Sequence, residues 1–240
     1  HEVFTKFPPP VALCPRVPFG SITIDGKLDD AAWRDAPVIT GFRLSANGKD
    51  ESKATRVRLA WDARYLYVAF DVDDQQVTGT ITQRDGELWR EDAVEVFIDA
   101  NRDGMSYVEY EVSPRGVFYD AAIADYRPEV EWVKDLNHID IPMSIAIYTV
   151  RDTHYAVRVD GTLNEPGDTD RGWVCEMAIS WRDIERGTNV DRPVPRHGDV
   201  WHIGLFRINV DADRAEYAAW NPTSSWYHVP RLFGRVVFVE

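Results

Sequence analysis

Cysteine is scarce in this 240-residue chain, since only Cys14 and Cys175 are present. Two cysteines allow one disulfide, which would close a long loop and tie the N-terminal segment to the body, but two separately buried thiols fit the count equally well. The proline-rich start, residues 7–18, makes a tether attractive because such a segment has no ladder of its own. The cysteines therefore permit an oxidising compartment without establishing one.

Long apolar runs and an excess of basic residues are also lacking. No run of about 18 apolar residues occurs, which excludes a membrane-spanning helix of ordinary composition. Acidic residues outnumber basic ones by 40 to 27, giving a formal net charge of -13. The average field of such a protein repels a nucleic-acid duplex and an anionic membrane, so we expect neither as a partner.

Helical periodicity is rare, and only residues 29–36 and 181–186 favour a turn or two of helix. Alternation of apolar and polar residues, which indicates strands, recurs instead along the whole chain. The predicted strands are 57–61, 65–71, 94–98, 108–112, 117–122, 144–150, 155–163, 173–181, 201–211, 215–220 and 234–239. We predict an all-β fold, an antiparallel β-sandwich of the jelly-roll or immunoglobulin-like kind. We expect one domain over residues 21–240, with residues 1–20 as a proline-rich extension packed on it.

Four segments, in this order and spacing, carry a resemblance to a known family. They are Ile22 to Trp33, Tyr65 to Phe70, Leu88 to Asp99 and Trp226 to Gly234. Together they resemble the family 9 carbohydrate-binding modules and their relatives in the DOMON-like superfamily. The resemblance implies a β-sandwich that binds a sugar without cleaving it.

The resemblance also implies which aromatic residues hold the sugar. In sugar-binding members two tryptophans enclose a terminal ring, and the matching positions are Trp89 and Trp226. A pyranose has apolar C–H faces that stack on aromatic rings, so the arrangement is physically reasonable. Trp33, Trp61 and Trp181 lie at periodic or element-edge positions and are predicted to belong to the core.

Polar side chains alternate with aliphatic ones on several strands and suggest a polar sheet face. If the strands are neighbours, one face carries Glu95, Glu109, Glu111 and Ser113 together with Arg207 and Asn209. An ordinary solvated outer face is the alternative interpretation of the same pattern.

The family comparison bears on three of these positions. The resemblance supports Glu95 and Glu91 as groups that hydrogen-bond the sugar. Well-known sugar-binding members have Arg and Asn where this chain has Glu111 and Ser113, so a different sugar or glycosidic position is expected here.

The segment that starts at Asp99 spaces oxygen-bearing side chains two residues apart. Asp99, Asn101 and Asp103 precede Gly104, as in the first half of a calcium loop, and Glu109 is the candidate that completes the shell. An ordinary polar hairpin turn has the same composition. Because family members carry structural calcium, we predict calcium here.

Three other functions are open from the residues alone. Glu95 and Glu111 provide the two carboxylates that a glycosidase or lyase requires. An N-terminal His1 could chelate copper, as in oxidative polysaccharide-cleaving enzymes. A haem-binding electron-transfer domain would have to take its axial ligands from Met105, Met143 and Met177, from a histidine or from a lysine.

We therefore expect a non-catalytic carbohydrate-binding domain whose partner is an oligosaccharide or polysaccharide. It would be tethered to, or act beside, a glycoside hydrolase. The expected location is secreted, either extracellular or periplasmic.

Overall fold

Alternating side chains along the strands build two facing β-sheets in this protein. The structure is a computed structural model that describes residues 7–124, 144–188, 190–211, 214–223 and 227–240. Within that part of the chain, helix is limited to α1 (Ala31–Asp35), α2 (Trp181–Gly187) and two single 3₁₀ turns, Leu88–Arg90 and Pro230–Leu232. The architecture is a mostly β sandwich, and the predicted fold class is confirmed.

The larger sheet has nine strands in the described residues. Its main path runs β1, β14, β12, β6, β7, β8, β9, while β13 pairs with both β12 and β3. The strands are β1 (Val11–Pro15), β3 (Arg43–Leu44), β6 (Ala93–Asp99), β7 (Tyr107–Val112), β8 (Phe118–Ala124), β9 (Ser144–Ile147), β12 (Val200–Asp211), β13 (Arg214–Ala219) and β14 (Gly234–Val239).

The smaller sheet has five strands in the described residues, in the order β10, β11, β5, β4, β2. They are β2 (Val38–Ile39), β4 (Thr55–Trp61), β5 (Tyr65–Asp73), β10 (His154–Asp160) and β11 (Gly172–Ser180). The predicted hairpin of residues 57–71 is β4 and β5, which pair in antiparallel register. The remaining predicted strands also form, with ends shifted by a few residues.

The core lies between the two sheets. The smaller sheet contributes Val57, Leu59 and Phe70, and the larger contributes Val94 and Val96, all with at most 1% of their surface exposed. These are the apolar positions of the period-two pattern, so their burial fixes which face of each strand turns inward.

The predicted core tryptophans are all buried. Trp61 and Trp181 lie in the core between the sheets. Trp33 instead packs on the outside of the smaller sheet, where its indole N–H donates to Glu176 Oε1 at 2.7 Å. The amide of Gly26 donates to the other oxygen of that carboxylate at 2.6 Å. The segment from Ile22 to Trp33 is therefore fastened to the smaller sheet by one buried glutamate.

The proline-rich N-terminal segment has a strand partner, contrary to our expectation that it has no ladder of its own. β1 pairs in parallel with β14, with Val11 opposite Arg235 and Pro15 opposite Val239. Prolines are tolerated because β1 lies at the edge of its sheet, where one side of the strand needs no donors.

Both cysteines are free and fully buried, so the disulfide interpretation is not the one that the structure shows. Burial raises the pKa of the Cys14 and Cys175 thiols well above its ordinary value, which leaves them protonated and unreactive. No helix in the described residues combines the length and the apolar character needed to cross a membrane.

Trp61 offers a test of the core assignment. Its side chain is 2% exposed, its indole N–H donates to Val239 O at 3.1 Å, and its ring meets Phe238 edge-on at 5.8 Å. Trp61→Ala should lower the free energy of unfolding by about 3–5 kcal/mol, because it opens a large cavity between the sheets. Urea denaturation measures this change. Trp89→Ala, at a 40% exposed position, is the control and should cost less than about 1 kcal/mol. A small loss at Trp61 would contradict its place in the core.

Candidate functional site

The face of the larger sheet that points away from the smaller sheet, here called the outer face, carries an unusual set of side chains. In the register of β6 with β7, Glu95 lies opposite Glu111 and Phe97 lies opposite Glu109. In the register of β6 with β12, Glu95 lies opposite Phe206. Since opposed residues project to the same side, all of these side chains share the outer face.

Glu95, Glu109 and Glu111 form a compact group, here called the glutamate trio. One carboxylate oxygen from each lies within 4.8 Å of the others. Their residues are 2%, 4% and 1% exposed, respectively. The pairing of β6 with β7 brings together three glutamates that the alternation of side chains had placed on a polar face. Glu109 had also been a candidate ligand of the predicted calcium loop.

Burial dominates the electrostatics of the trio. It raises the pKa of Glu95 well above the ordinary value, and the neighbouring charge of Glu109 raises it further. Burial raises the pKa of Glu109 to about 7. The pKa of Glu111 is also raised well above normal, first by burial and then by the charge of Glu95. Three adjacent buried carboxyl groups cannot all stay ionised at neutral pH without a compensating positive charge.

Aromatic rings surround the trio on the outer face. Phe97 contacts Phe206 at 5.0 Å and His228 at 4.9 Å between ring centroids. Tyr227 stacks on Phe206 at 4.2 Å, with 17° between the rings. These rings belong to a second apolar cluster, separate from the core between the sheets. The outer face therefore combines a cluster of aromatic rings with buried carboxyl groups.

His228 lies between this aromatic cluster and the trio. Its Nδ1 is 2.8 Å from the hydroxyl of Tyr107, and its Nε2 is 3.9 Å from Glu109 Oε1. Burial lowers the pKa of His228 to about 3, so the ring is neutral at physiological pH. The imidazole consequently does not neutralise the carboxylates.

Trp89 is presented at the edge of the outer face by the 3₁₀ turn Leu88–Arg90. Leu88 is fully buried in the outer aromatic cluster and anchors the turn, while Trp89 remains 40% exposed. The indole meets the ring of Tyr119 edge-on at 5.7 Å and 83°. Tyr119 in turn lies opposite Glu111 in the pairing of β7 with β8. Tyr119 thus lies between the exposed indole of Trp89 and Glu111 of the trio.

The second predicted platform, Trp226, lies outside the described residues. Its neighbour in the chain, Tyr227, is described and packs on the outer face.

Glu91 and Ser113 stabilise loops at the border of the outer face. Glu91 is buried, and its carboxylate accepts hydrogen bonds from the amides of Thr80 and Ile81 at 2.6 and 3.1 Å. It thereby fixes the loop before Trp89. Ser113 is fully buried in the β7–β8 turn, where its carbonyl accepts from the Gly116 amide at 2.8 Å.

The expectation that Arg207 and Asn209 share a face with Glu95 is wrong. Phe206 is the β12 residue opposite Glu95, so Arg207 projects to the other side, toward the smaller sheet. Its guanidinium donates to Asn209 Oδ1 at 2.7 Å and to the carbonyl of Asp73 at 2.6 Å, and pairs with Asp74 at 3.3 Å. Arg207 therefore connects the two sheets, and Asn209 accepts a hydrogen bond from its guanidinium.

The loop that starts at Asp99 has its side-chain oxygens largely engaged in the turn itself. The carboxylate of Asp103 accepts from the backbone amides of Met105 and Ser106 at 2.7 and 2.8 Å. It also accepts from the side-chain amide Nδ2 of Asn101 at 2.9 Å. Gly104 takes a positive φ of 66° and donates to Asp99 Oδ2 at 3.0 Å. Among the side-chain oxygens of this loop, Asp99 Oδ1 alone is buried without a hydrogen-bond partner. The turn satisfies most of its own oxygens, and calcium in this loop stays a prediction.

The other candidate ligands fall in different places. Met105 is exposed, Met177 is buried in the core, and His1 and Met143 lie outside the described residues. The site residues that sequence reasoning missed are Tyr119, His228 and the pair Phe206 and Tyr227. The signal for Phe206 was present, since it alternates with Arg207, but the alternation does not tell which of the two joins Glu95.

Arg207 gives a test of its structural position. Arg207→Met removes the positive charge next to buried Asp74, so the free energy of unfolding should fall by about 3–5 kcal/mol. Urea denaturation checks this, with Arg90→Met at an exposed position as the matched control. Adding Asp74→Asn to Arg207→Met should recover part of the loss. A cost below about 1 kcal/mol for Arg207→Met would show that the guanidinium does not support the sheet junction.

Comparisons with known proteins bear on the family and the fold of this chain. The family described as Carbohydrate family 9 binding domain-like matches residues 24–240. The chain is similar to endo-1,4-beta-xylanase A from Thermotoga maritima, with 31% identity over 223 residues that make up 92% of this chain and 17% of the xylanase. The chain thus spans less than a fifth of that relative.

Two further relatives bear on fold and location. An extracellular protein from Arthroderma benhamiae is 25% identical over 194 residues, which make up 77% of this chain and 78% of that protein. A family 9 carbohydrate-binding module from Caldicellulosiruptor kristjanssonii, solved in complex with cellotriose, aligns with a TM-score of 0.63 at 16% identity. That alignment covers 95% of this chain and 93% of the module and shows a shared fold.

Proposed function

Because the chain belongs to the carbohydrate family 9 binding domain-like family, we propose that it binds a sugar on the outer face without cleaving it. Trp89 and Trp226 stack on the two faces of one sugar ring. Glu95 accepts hydrogen bonds from the hydroxyl groups at the edge of that ring. Glu111 lies beside Glu95 and forms part of the same binding surface. Glu91 holds the loop before Trp89 through the amides of Thr80 and Ile81.

The observation that carries this proposal is the exposed indole of Trp89 beside buried carboxylates. Trp89 is the only tryptophan among the described residues that is more than one-third exposed, and it rests edge-on against Tyr119. A sugar needs both an apolar surface for its C–H face and fixed polar groups for its hydroxyls. Trp89 supplies the apolar surface. Glu95 and Glu111, on the other side of the Tyr119 ring, supply the polar groups.

The family description supports binding over hydrolysis. The family that matches this chain is described as a binding domain. This supports a binding role for Glu95 and Glu111 instead of the acid and base roles that two carboxylates have in a glycosidase.

The names of the relatives suggest which sugar to test first. One similar module is described in complex with cellotriose, and one similar protein is a xylanase. We therefore propose a β-1,4-linked plant polysaccharide or its oligosaccharides as the ligand class. By the same comparison, the domain is tethered to or acts beside a glycoside hydrolase and functions outside the cell.

Removing either indole should weaken sugar binding. Trp89→Ala and Trp226→Ala each remove one stacking surface, which is worth about 1–3 kcal/mol, so the affinity for cellotriose should fall about ten-fold or more. Titration calorimetry measures the affinity, and circular dichroism checks the fold. Phe19→Ala, at an exposed aromatic position next to Arg64, is the matched control and should bind like the parent.

Two results would contradict the proposal. One is unchanged affinity in both tryptophan variants for a sugar that the parent binds. The other is release of soluble oligosaccharides when the parent is incubated with the polysaccharides it binds, because a binding module leaves them intact.

A further inference from the structure

Among the described residues, the glutamate trio has no lysine or arginine as a counter-charge. In the described ranges of the chain, no lysine or arginine forms an ion pair with Glu95, Glu109 or Glu111. The group that does approach, His228, is 3.9 Å from Glu109 and neutral. Buried carboxylates are otherwise found paired with cations or coordinated to metals. Within the part of the chain that the structure describes, the trio is therefore without the cation that buried carboxylates usually have beside them.

A second observation points to a ligand at the same place. Oε2 of Glu111 is buried and has no hydrogen-bond partner, and its residue is 1% exposed. Buried polar atoms are nearly always satisfied, so an orphan acceptor of this kind indicates a missing donor or ion. The orphan belongs to the carboxylate that lies directly opposite Glu95 in the sheet.

The spacing of the trio suits a metal ion. Calcium binds oxygen ligands at about 2.3–2.6 Å, so two oxygens on opposite sides of one ion are about 4.6–5.2 Å apart. Three oxygens within 4.8 Å of one another can therefore reach the same ion. The three side chains offer oxygen alone, which selects a hard cation, and calcium accepts irregular arrangements that magnesium does not.

We infer that Glu95, Glu109 and Glu111 together bind one divalent cation, calcium, on the outer face beside Trp89. This site is separate from the loop of Asp99, Asn101 and Asp103. Three carboxylates supply three to six of the about six to eight oxygens that calcium takes, which leaves positions for water or sugar hydroxyls. The ion then forms part of the surface that the sugar contacts, and this role rests on the proposed function.

The test is a calcium titration of chelator-treated protein by calorimetry, without sugar. The parent should bind calcium, and Glu109→Gln and Glu111→Gln should each weaken that binding about ten-fold or more. Asp50→Asn, at an exposed position, is the matched control and should bind calcium like the parent. Asp103→Asn changes the loop alone and should leave calcium binding at the trio unchanged. Circular dichroism establishes that each variant is folded. Elemental analysis of parent and Glu111→Gln protein, purified in calcium, gives the bound metal independently of the titration.

Absence of calcium binding in the parent would overturn the inference. So would binding that survives both glutamine variants and is lost in Asp103→Asn, which would place the ion in the loop. Cellotriose binding is then measured with calcium and with chelator. No sugar binding under either condition would contradict the proposed function, and it would leave the calcium result standing by itself.

Discussion

The register of β12, β6 and β7 is the constraint on which the site depends. Successive side chains of a strand project to opposite faces, so a shift of one residue would exchange the two faces completely. Val94 and Val96 are held in the core between the sheets, and this fixes Glu95 and Phe97 on the outside. Pairing with β7 and β12 then sets Glu111, Glu109 and Phe206 beside them. The polar group on the outer face follows from apolar packing on the inner one.

Burial of the carboxyl groups on the outer face lowers the stability of the folded protein, and this cost bears on the function of the face. Burial of carboxyl groups raises their pKa and destabilises the ionised form. A second aromatic cluster on the same face, which includes Phe97, Phe206 and Tyr227, provides apolar burial that offsets part of the cost. Ionisable groups with strongly shifted pKa values cluster at functional sites, so the trio marks the outer face as a candidate binding surface.

Local sequence patterns predicted the elements well and the contacts between distant elements less well. The alternation that marks β6, β7 and β12 is local, and the family segments placed Trp89 at an exposed turn. Which side of β12 faces Glu95 is decided by the pairing of Phe206 with a residue more than a hundred positions earlier, and no local pattern contains that information. The approach of His228 to Glu109 is equally distant in sequence. Strand β1 was not predicted because of its prolines. In the structure its side chains alternate, with Ala12 and Cys14 buried and Val11 and Leu13 exposed.

The central claim, that sugar binds on the outer face of the larger sheet, is tested most directly by amide NMR of the parent protein during titration with cellotriose. If the sugar binds there, the largest chemical-shift changes should fall on the indole N–H of Trp89 and on the backbone amides around Glu95, Glu111 and Tyr119. Shifts confined to the smaller sheet, or to the sheet junction around Asp74 and Arg207, would contradict it.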